Sequence, residues 1–253
     1  MYAEERQRAI LKQARRNGRV DVATLAAAFE ITSETVRRDL TALERSGVVR
    51  RVHGGAIPVE RRGIEPGLDA RDAVMTAEKD RIAAAALEQI PDGGAILLDA
   101  GTTVGRLANL VPADRELTVV TPSLPNACAL ANRPGVTLML VGGRLRGHTM
   151  ASVDGWALDA LKDTFVDVAF LSTSGLSVER GLTTPDTAEA MVKRAAIASA
   201  RRTVLLADHT KIGDDHFARF GGLCDVDTLI TDRGAEPREL DEIGRAGVKV
   251  IIV

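Results

Sequence analysis

The 253-residue chain is 45% hydrophobic and 27% charged, a composition that excludes a largely disordered protein and supplies a core. No apolar run is long enough to cross a bilayer. Only two cysteines are present, Cys128 and Cys224, and neither they nor the histidines have the spacing of a metal site, so we expect no metal and no cofactor. The charged start of the sequence lacks a signal-peptide stretch, which predicts a cytoplasmic protein.

The charge is unevenly distributed along the chain. Residues 1–62 contain 13 Lys/Arg and 8 Asp/Glu, a net charge of +5, whereas the remaining residues contain 20 and 27, a net charge of −7. The basic charge of residues 1–62 indicates that this region binds a polyanion, whereas the acidic remainder of the chain does not.

Three short helices are predicted in the basic part, over 3–16, 22–29 and 32–45, because apolar residues recur there at helical spacing. Asp21 and Thr32 stand where side chains cap the second and third helices. The third helix should end near Ser46-Gly47, since glycine is common just past a helix end. A basic strand follows at 48–53, and Gly54-Gly55 turn it into a hairpin.

The third helix has two unlike faces. Val36, Leu40 and Leu43 share an apolar face, and arginines lie on the opposite face. Such a helix followed by a basic hairpin suits a DNA major groove and its flanking phosphates. A solvated helix on a small helical domain is the alternative. The predicted DNA contacts are Ser33, Glu34, Thr35, Arg37, Arg38, Thr41, Arg45, Arg50, Arg51 and His53.

This part of the chain resembles the DeoR family of bacterial transcriptional regulators. The resemblance implies a winged helix-turn-helix domain that binds DNA, with the recognition helix at roughly 33–45. The residues that carry it are Gly18-Arg19-Val20, Leu25-Ala26, Phe29, Thr35–Leu40, Leu43-Glu44 and Arg51–Ala56.

From residue 77 onward, buried strands alternate with helices, a pattern typical of a parallel sheet covered by helices. We therefore predict a winged helix-turn-helix domain at 1–57, a linker at 58–76 and a larger α/β domain with a mainly parallel sheet at 77–253. The predicted strands are 95–98, 117–120, 137–141, 166–171, 204–207, 228–230 and 248–253; the predicted helices are 77–90, 104–110, 124–131, 154–163, 188–200 and 238–246.

Polar residues follow several of these strands, at the edge where ligands bind in parallel sheets. After the first strand, the turn Asp99–Thr103 runs into a helix and offers backbone N–H groups and hydroxyls to an anion. A simple capped helix is the alternative for this turn. Instead of contacting a ligand, Arg144 could be a surface charge and Asp232 could cap a loop. His209 is the only histidine at this edge. The predicted ligand contacts are Asp99, Gly101, Thr102, Thr103, Thr121, Gly142, Gly143, Arg144, Asp208 and Lys211.

The second part is also similar to the DeoR family, in its sensor domain. The resemblance implies a fold like those of ribose-5-phosphate isomerase, glucosamine-6-phosphate deaminase and the CoA transferases, and a phosphorylated sugar as ligand. Pro122 and His209-Thr210 depart from the family pattern. The matching residues are Leu98–Thr103, Val120-Thr121, Gly142-Gly143, Asp167–Phe170, Glu189, Lys193, Asp208–Lys211 and Ile230–Asp232.

Two functions follow from these patterns. The first is a repressor of carbohydrate-utilisation genes that binds operator DNA as a homo-oligomer, a dimer or a tetramer, and is released by a phosphorylated sugar. The opening residues most resemble actinobacterial members linked to fructose use, which makes fructose 1-phosphate the first expected effector and glycerol 3-phosphate an alternative. The second is an isomerase-like enzyme with an appended helix-turn-helix module.

Overall fold

The computed structural model describes residues 3–45, 49–52, 54–58 and 67–253. They belong to two compact units, which divide between residues 64 and 65. None of the described helices is long and apolar enough to cross a membrane.

The first unit packs three helices against a three-stranded antiparallel sheet with the strand order β1-β3-β2. Its core contains Ile10, Leu25, Val36 and Leu40, all fully buried. The helices are α1 (Ala3–Asn17), α2 (Val22–Ala28) and α3 (Ser33–Arg45), and the strands are β1 (Val20–Asp21), β2 (Val49–Val52) and β3 (Gly55–Pro58).

The predicted caps of this unit have different outcomes. The hydroxyl of Thr32 accepts a hydrogen bond from the backbone N–H of Thr35 at 3.2 Å, which confirms the cap of α3. The predicted cap at Asp21 is wrong: it precedes α2, but its side chain makes no capping bond. Its carboxylate instead accepts from Arg19 at 3.0 Å. The predicted helix end at Ser46-Gly47 and the side chain of His53 lie outside the described residues.

The second unit is built on a seven-stranded parallel sheet with the order β15-β14-β12-β9-β4-β5-β6. Its strands are the seven that the sequence predicts, which confirms the α/β architecture. They are β4 (Gly93–Leu98), β5 (Glu116–Thr121), β6 (Val136–Leu140), β9 (Val166–Ser172), β12 (Ala200–Leu206), β14 (Thr228–Thr231) and β15 (Lys249–Ile252).

Helices cover both faces of this sheet. Ile82 of α5 and Leu107 of α6 pack with Ile96 on one face, whereas Leu161 of α8 and Leu240 of α10 belong to the core on the other face. The helices are α5 (Thr76–Ala86), α6 (Thr102–Leu110), α7 (Leu124–Leu130), α8 (Gly155–Lys162), α9 (Thr187–Ala198) and α10 (Pro237–Arg245).

Several short elements are present that the sequence pattern does not predict. A helix, α4 (Leu68–Asp72), lies within the predicted linker segment. Two small antiparallel sheets flank the main sheet, with the orders β7-β8 and β10-β11-β13. Strands of three or four residues are too short to show a periodic pattern. They are β7 (Arg144–Arg146), β8 (Ala151–Val153), β10 (Gly175–Ser177), β11 (Gly181–Thr184) and β13 (Ala218–Gly221).

Candidate nucleic-acid interface and ligand-binding rim

The recognition helix α3 exposes a basic face. Arg37, Arg38 and Arg45 are exposed, whereas Val36 and Leu40 are fully buried. Neither Arg38 nor Arg45 has a hydrogen-bond or ion-pair partner among the described residues, so both guanidinium groups are available to a polyanion. Three further predicted DNA-contacting residues lie in the first turn of α3: Ser33 and Glu34 are exposed, and Thr35 is half-buried.

The buried side of α3 is fixed by an ion pair with α1. Asp39 is 4% exposed, and its carboxylate accepts from Nε of Arg6 at 2.6 Å, from Nη2 of Arg6 at 3.2 Å and from Nε2 of Gln7 at 3.1 Å. The hydrogen bond with Asp39 raises the pKa of Arg6. A helix held in this way presents its outer arginines with a defined orientation.

The β2-β3 hairpin, the wing of this unit, is bonded to α3. The backbone N–H of Arg51 donates to Glu44 at 2.9 Å, and its guanidinium donates to the hydroxyl of Thr41 at 3.3 Å. That hydroxyl donates to the carbonyl of Arg37 at 2.8 Å, so Thr41 and Arg51 have structural partners within the unit. Arg50 is exposed and forms no hydrogen bond or ion pair within the described segments.

The second site lies where the parallel strands end, an edge that we call the rim. The strand order places Asp99, after β4, between the ends of β9 and β5. Asp99 is buried, and its Oδ2 accepts from the N–H of Ser172 at 3.0 Å, from the hydroxyl of Ser172 at 3.2 Å and from Nζ of Lys193. Lys193 also donates to the carbonyl of Ser172 at 2.9 Å. Asp99 therefore joins three elements rather than facing solvent.

The turn after Asp99 requires a glycine. Gly101 has φ +142°, and a Cβ there would lie 2.5 Å from the hydroxyl oxygen of Ser172. The turn leads directly into α6, whose first residues are Thr102, half-buried, and Thr103, buried. The first-turn N–H groups of a helix and its dipole attract anions, so this turn keeps the chemistry that the sequence predicts for it.

The other predicted rim residues are in varied environments. Thr121 is fully buried and donates to the carbonyl of Leu98 at 2.6 Å. Gly142 is exposed, and Gly143 has φ +145°. Arg144 forms an exposed ion pair with Asp154 at 2.6 Å, in agreement with the alternative of a surface charge.

Asp208 and Lys211 follow β12, which β9 separates from β4. Two strand spacings, about 10 Å, lie between the ends of β4 and β12. The carboxylate of Asp208 is buried and accepts from the N–H of Thr210 at 3.0 Å. Lys211 is half-buried and its side chain forms no hydrogen bond or ion pair in the described part of the chain.

His209 and Asp232 form a further rim contact. The Nδ1 atom of His209 lies 2.7 Å from Oδ2 of Asp232, and its backbone N–H donates to Oδ1 at 2.7 Å. Burial raises the pKa of Asp232, but the backbone hydrogen bonds of His209 and Gly234 and the adjacent His209 ring outweigh it, so the pKa is lowered. Asp232 is thus a structural acceptor, in agreement with its alternative as a loop cap.

The structure adds charged residues that sequence reasoning does not place at the site. Glu189 and Lys193 are buried on the inner face of α9, and Arg146 contacts Glu189 at 3.4 Å. The sequence does contain a signal for them, because Glu189 and Lys193 lie at core-facing positions of α9, where charged residues are uncommon unless they are paired. A shallow depression of about 10 Å³ is lined by Asp99, Ala100, Pro122, Ser152, Glu189 and Lys193.

A larger groove, of about 250 Å³, also adjoins the Gly101 turn, and Thr102, Arg106 and Asn126 line it together with Asp69 and Asp72 of α4. Among the residues that the structure describes, no cluster of three or more His, Cys, Asp or Glu side chains could hold a metal ion.

A winged helix-turn-helix unit followed by a parallel α/β unit with a polar rim is the architecture of a DNA-binding regulator with a sensor domain. Family comparisons agree: residues 6–62 match the DeoR-like helix-turn-helix domain, and residues 74–233 match the DeoR C-terminal sensor domain. The chain belongs to the DeoR family of transcriptional regulators.

Similar proteins are regulators from several organisms. The HTH-type transcriptional regulator GlpR of Haloferax volcanii is 36% identical over 99% of this chain and 98% of its own length. The HTH-type transcriptional repressor GlcR of Bacillus subtilis is 33% identical over 100% and 97%. The glycerol-3-phosphate regulon repressor of Escherichia coli is 32% identical over 92% of both chains. These names are of regulators and not of enzymes, which supports the first of the two predicted functions.

Among solved structures, ribose 5-phosphate isomerase A of Methanocaldococcus jannaschii aligns with 53% of this chain and 53% of its own, at 15% identity and a TM-score of 0.38.

Proposed function

We propose that this protein represses carbohydrate-utilisation genes by binding operator DNA and is released from that DNA by a phosphorylated sugar. The observation that carries the proposal is the basic face of α3, which is exposed while its opposite side is fixed by the buried Arg6–Asp39 ion pair. A rigidly held basic helix suits recognition in a major groove.

We propose that the arginines of α3 and of the wing contact different parts of the DNA. Arg38 and Arg45, on the exposed face of α3, are placed to reach base edges or phosphates in the major groove. Arg50, on the wing, is placed to contact the phosphate backbone. A homo-oligomer, a dimer or a tetramer, brings two recognition helices to successive major grooves, roughly 34–36 Å apart. Since its target is the chromosome, we place the protein in the cytoplasm.

We propose that the effector binds at the rim of the parallel sheet. The N-terminus of α6 and the cation of Lys211 favour an anionic group, and a phosphate carries about −1.5 to −2 charges. Fructose 1-phosphate is the first effector that we propose, because the opening residues resemble those of fructose-linked members of the family. Glycerol 3-phosphate is the second, supported by the name of the similar Escherichia coli repressor.

Release from DNA requires that the effector bind one conformation better than another. A ligand with equal affinity for the DNA-bound and free conformations shifts neither population. We therefore propose that the effector prefers the conformation that binds operator DNA poorly.

The test is a gel-shift titration with DNA that flanks the protein's own gene. Fructose 1-phosphate and glycerol 3-phosphate are added in parallel, and unphosphorylated fructose and glycerol serve as matched controls. We expect one phosphorylated compound, and neither control, to dissociate the complex. A protein that binds this DNA no better than random DNA would contradict the repressor proposal, and turnover of either compound would favour an isomerase-like enzyme.

A further inference from the structure

Cations fasten the short helix α4 to the rest of the α/β unit. Nζ of Lys79, on α5, donates to the carbonyl of Arg71. On α6, Nη2 of Arg106 donates to the carbonyl of Asp72 at 3.3 Å and to its carboxylate at 3.0 Å, and Nη1 donates to Asp80 of α5 at 2.7 Å. Among the described elements, α4 is the first that follows the winged helix-turn-helix along the chain.

Lys79 carries a buried charge without a carboxylate partner in the described chain. It is 3% exposed, and its side chain donates a hydrogen bond to the backbone carbonyl of Arg71. Burial lowers the pKa of Lys79, and the nearby cations of Lys211 and Arg106 lower it further, against the opposing effect of Asp208 and Asp72. A buried ammonium is costly unless counter-ions offset it, and here the carboxylates of Asp208 and Asp72 are shared among the three cations Lys79, Lys211 and Arg106.

Arg106 connects α4 with the groove that adjoins the proposed anion turn. Thr102, Arg106 and Asp72 all line that groove of about 250 Å³. Because Arg106 follows Thr102 by four residues and helical side chains lean toward the N-terminus, its guanidinium can reach the first turn of α6. Nε of Arg106 is buried and has no hydrogen-bond partner among the described residues, whereas the carboxylate of Asp72 is half-exposed.

We infer that an anionic ligand in this groove competes with Asp72 of α4 for Arg106, so that ligand binding detaches α4 from the α/β unit. This inference rests on the proposed function, since it assigns a mechanical consequence to the same phosphorylated effector. A phosphate offers three acceptor oxygens and a higher charge than the half-exposed Asp72 carboxylate, and charge-assisted bidentate bonds to arginine are strong. The detached α4 alters the segment through which the chain enters this unit, which supplies a route from ligand to DNA binding.

Two variants distinguish the contact between Arg106 and α4 from the other charge interactions of Arg106. Asp72→Asn and Asp80→Asn each remove a carboxylate partner of Arg106, but only Asp72 lies on α4. Hydrogen–deuterium exchange of the full-length protein is measured for a peptide covering 67–75, with fructose 1-phosphate, glycerol 3-phosphate or inorganic phosphate as probes. A peptide covering α10 is the internal reference.

In the wild type, we expect a binding anion to increase exchange severalfold in 67–75 and to leave α10 unchanged. Asp72→Asn should show fast exchange in 67–75 without ligand and respond little to anions. Asp80→Asn should exchange like the wild type without ligand and bind the anion more tightly, because Arg106 is freer.

The outcomes distinguish this inference from the proposed function. Unchanged exchange in 67–75, while a sugar phosphate releases operator DNA, overturns the inference and leaves the function standing. Faster exchange with these anions, when neither sugar phosphate affects DNA binding, supports the inference and overturns the function. Identical ligand-free exchange in wild type and Asp72→Asn, or no response of 67–75 to any of the three anions, also overturns the inference.

Discussion

Nε of Arg6 on α1 donates to Oδ2 of Asp39 on α3 at 2.6 Å, and both side chains are largely buried beneath the recognition helix. The surface that is proposed to bind DNA is thus oriented by an ion pair on the opposite side of the same helix.

Removal of the Asp39 charge should destabilise the first unit. Asp39→Asn removes the charge of a carboxylate that accepts two hydrogen bonds from Arg6 in a largely buried position, and breaking a buried pair costs about 3–5 kcal/mol. Thermal or urea unfolding of the variant measures this cost. Glu34→Gln is the matched control, because the exposed Arg37–Glu34 pair at 3.4 Å should contribute under about 1 kcal/mol. Equal stability of Asp39→Asn and the control would contradict a stabilising role for the buried pair.

The arginines of α3 and the wing should affect DNA binding differently. Arg38→Ala is expected to weaken specific binding by about 1–3 kcal/mol and to relax sequence preference, if Arg38 contacts a base edge. Arg50→Ala and Arg51→Ala should weaken binding to all sequences alike and reduce its salt dependence, and Arg51→Ala also removes the hydrogen bond from the wing to Thr41 of α3. Affinities for operator and random DNA across a salt series measure both effects. An altered base preference in the wing variants would show that the assignment of phosphate and base contacts is wrong.

The Asp99–Lys193 ion pair should stabilise the second unit. Lys193→Met removes the ammonium group that pairs with Asp99 and leaves the buried carboxylate without that cation. We therefore expect the free energy of unfolding to fall by about 3–5 kcal/mol. The double variant Asp99→Asn/Lys193→Met should recover part of that loss, because no unpaired charge remains. Urea unfolding of the single and double variants measures the coupling, and purely additive losses would indicate that the two residues act independently.

Acid should weaken the contribution of Asp232. The pKa of Asp232 is lowered in the folded protein, so its stabilising effect is fully present above its unfolded pKa of about 3.9 and is lost as the pH falls through the folded value. The stability difference between wild type and Asp232→Asn should therefore shrink as the pH falls below about 4. Asp92→Asn is the control, since Asp92 is 99% exposed. A difference that stays constant down to acid pH would contradict the ionised-acceptor role.

Continuous apolar runs made the strands of the parallel sheet predictable, because a central strand buried on both faces needs apolar residues throughout. The edge strands β6 and β15 also have apolar runs, although most of their residues are exposed or half-buried. The two ion pairs were not predictable in the same way, since 33 residues separate Arg6 from Asp39 and 94 separate Asp99 from Lys193. Asp39 nevertheless lies at helical spacing from Val36 and Leu43 on the apolar face of α3, and Lys193 lies beside Val192 and Ala196 on the buried face of α9. A charge at a core-facing helical position signals a buried partner without identifying it.

The central claim is that a phosphorylated sugar at the rim releases the protein from DNA, and Lys211 tests it most directly. Lys211→Ala and Thr103→Val are titrated with fructose 1-phosphate and glycerol 3-phosphate on labelled operator DNA, beside the wild type. We predict that Lys211→Ala binds operator with wild-type affinity but needs far more effector for release, because a charge-assisted contact is lost. Thr103→Val should be affected more mildly, since the backbone N–H groups of the turn remain. Wild-type sensitivity of Lys211→Ala to the effector would contradict the site, and loss of DNA binding without ligand would make Lys211 a structural residue.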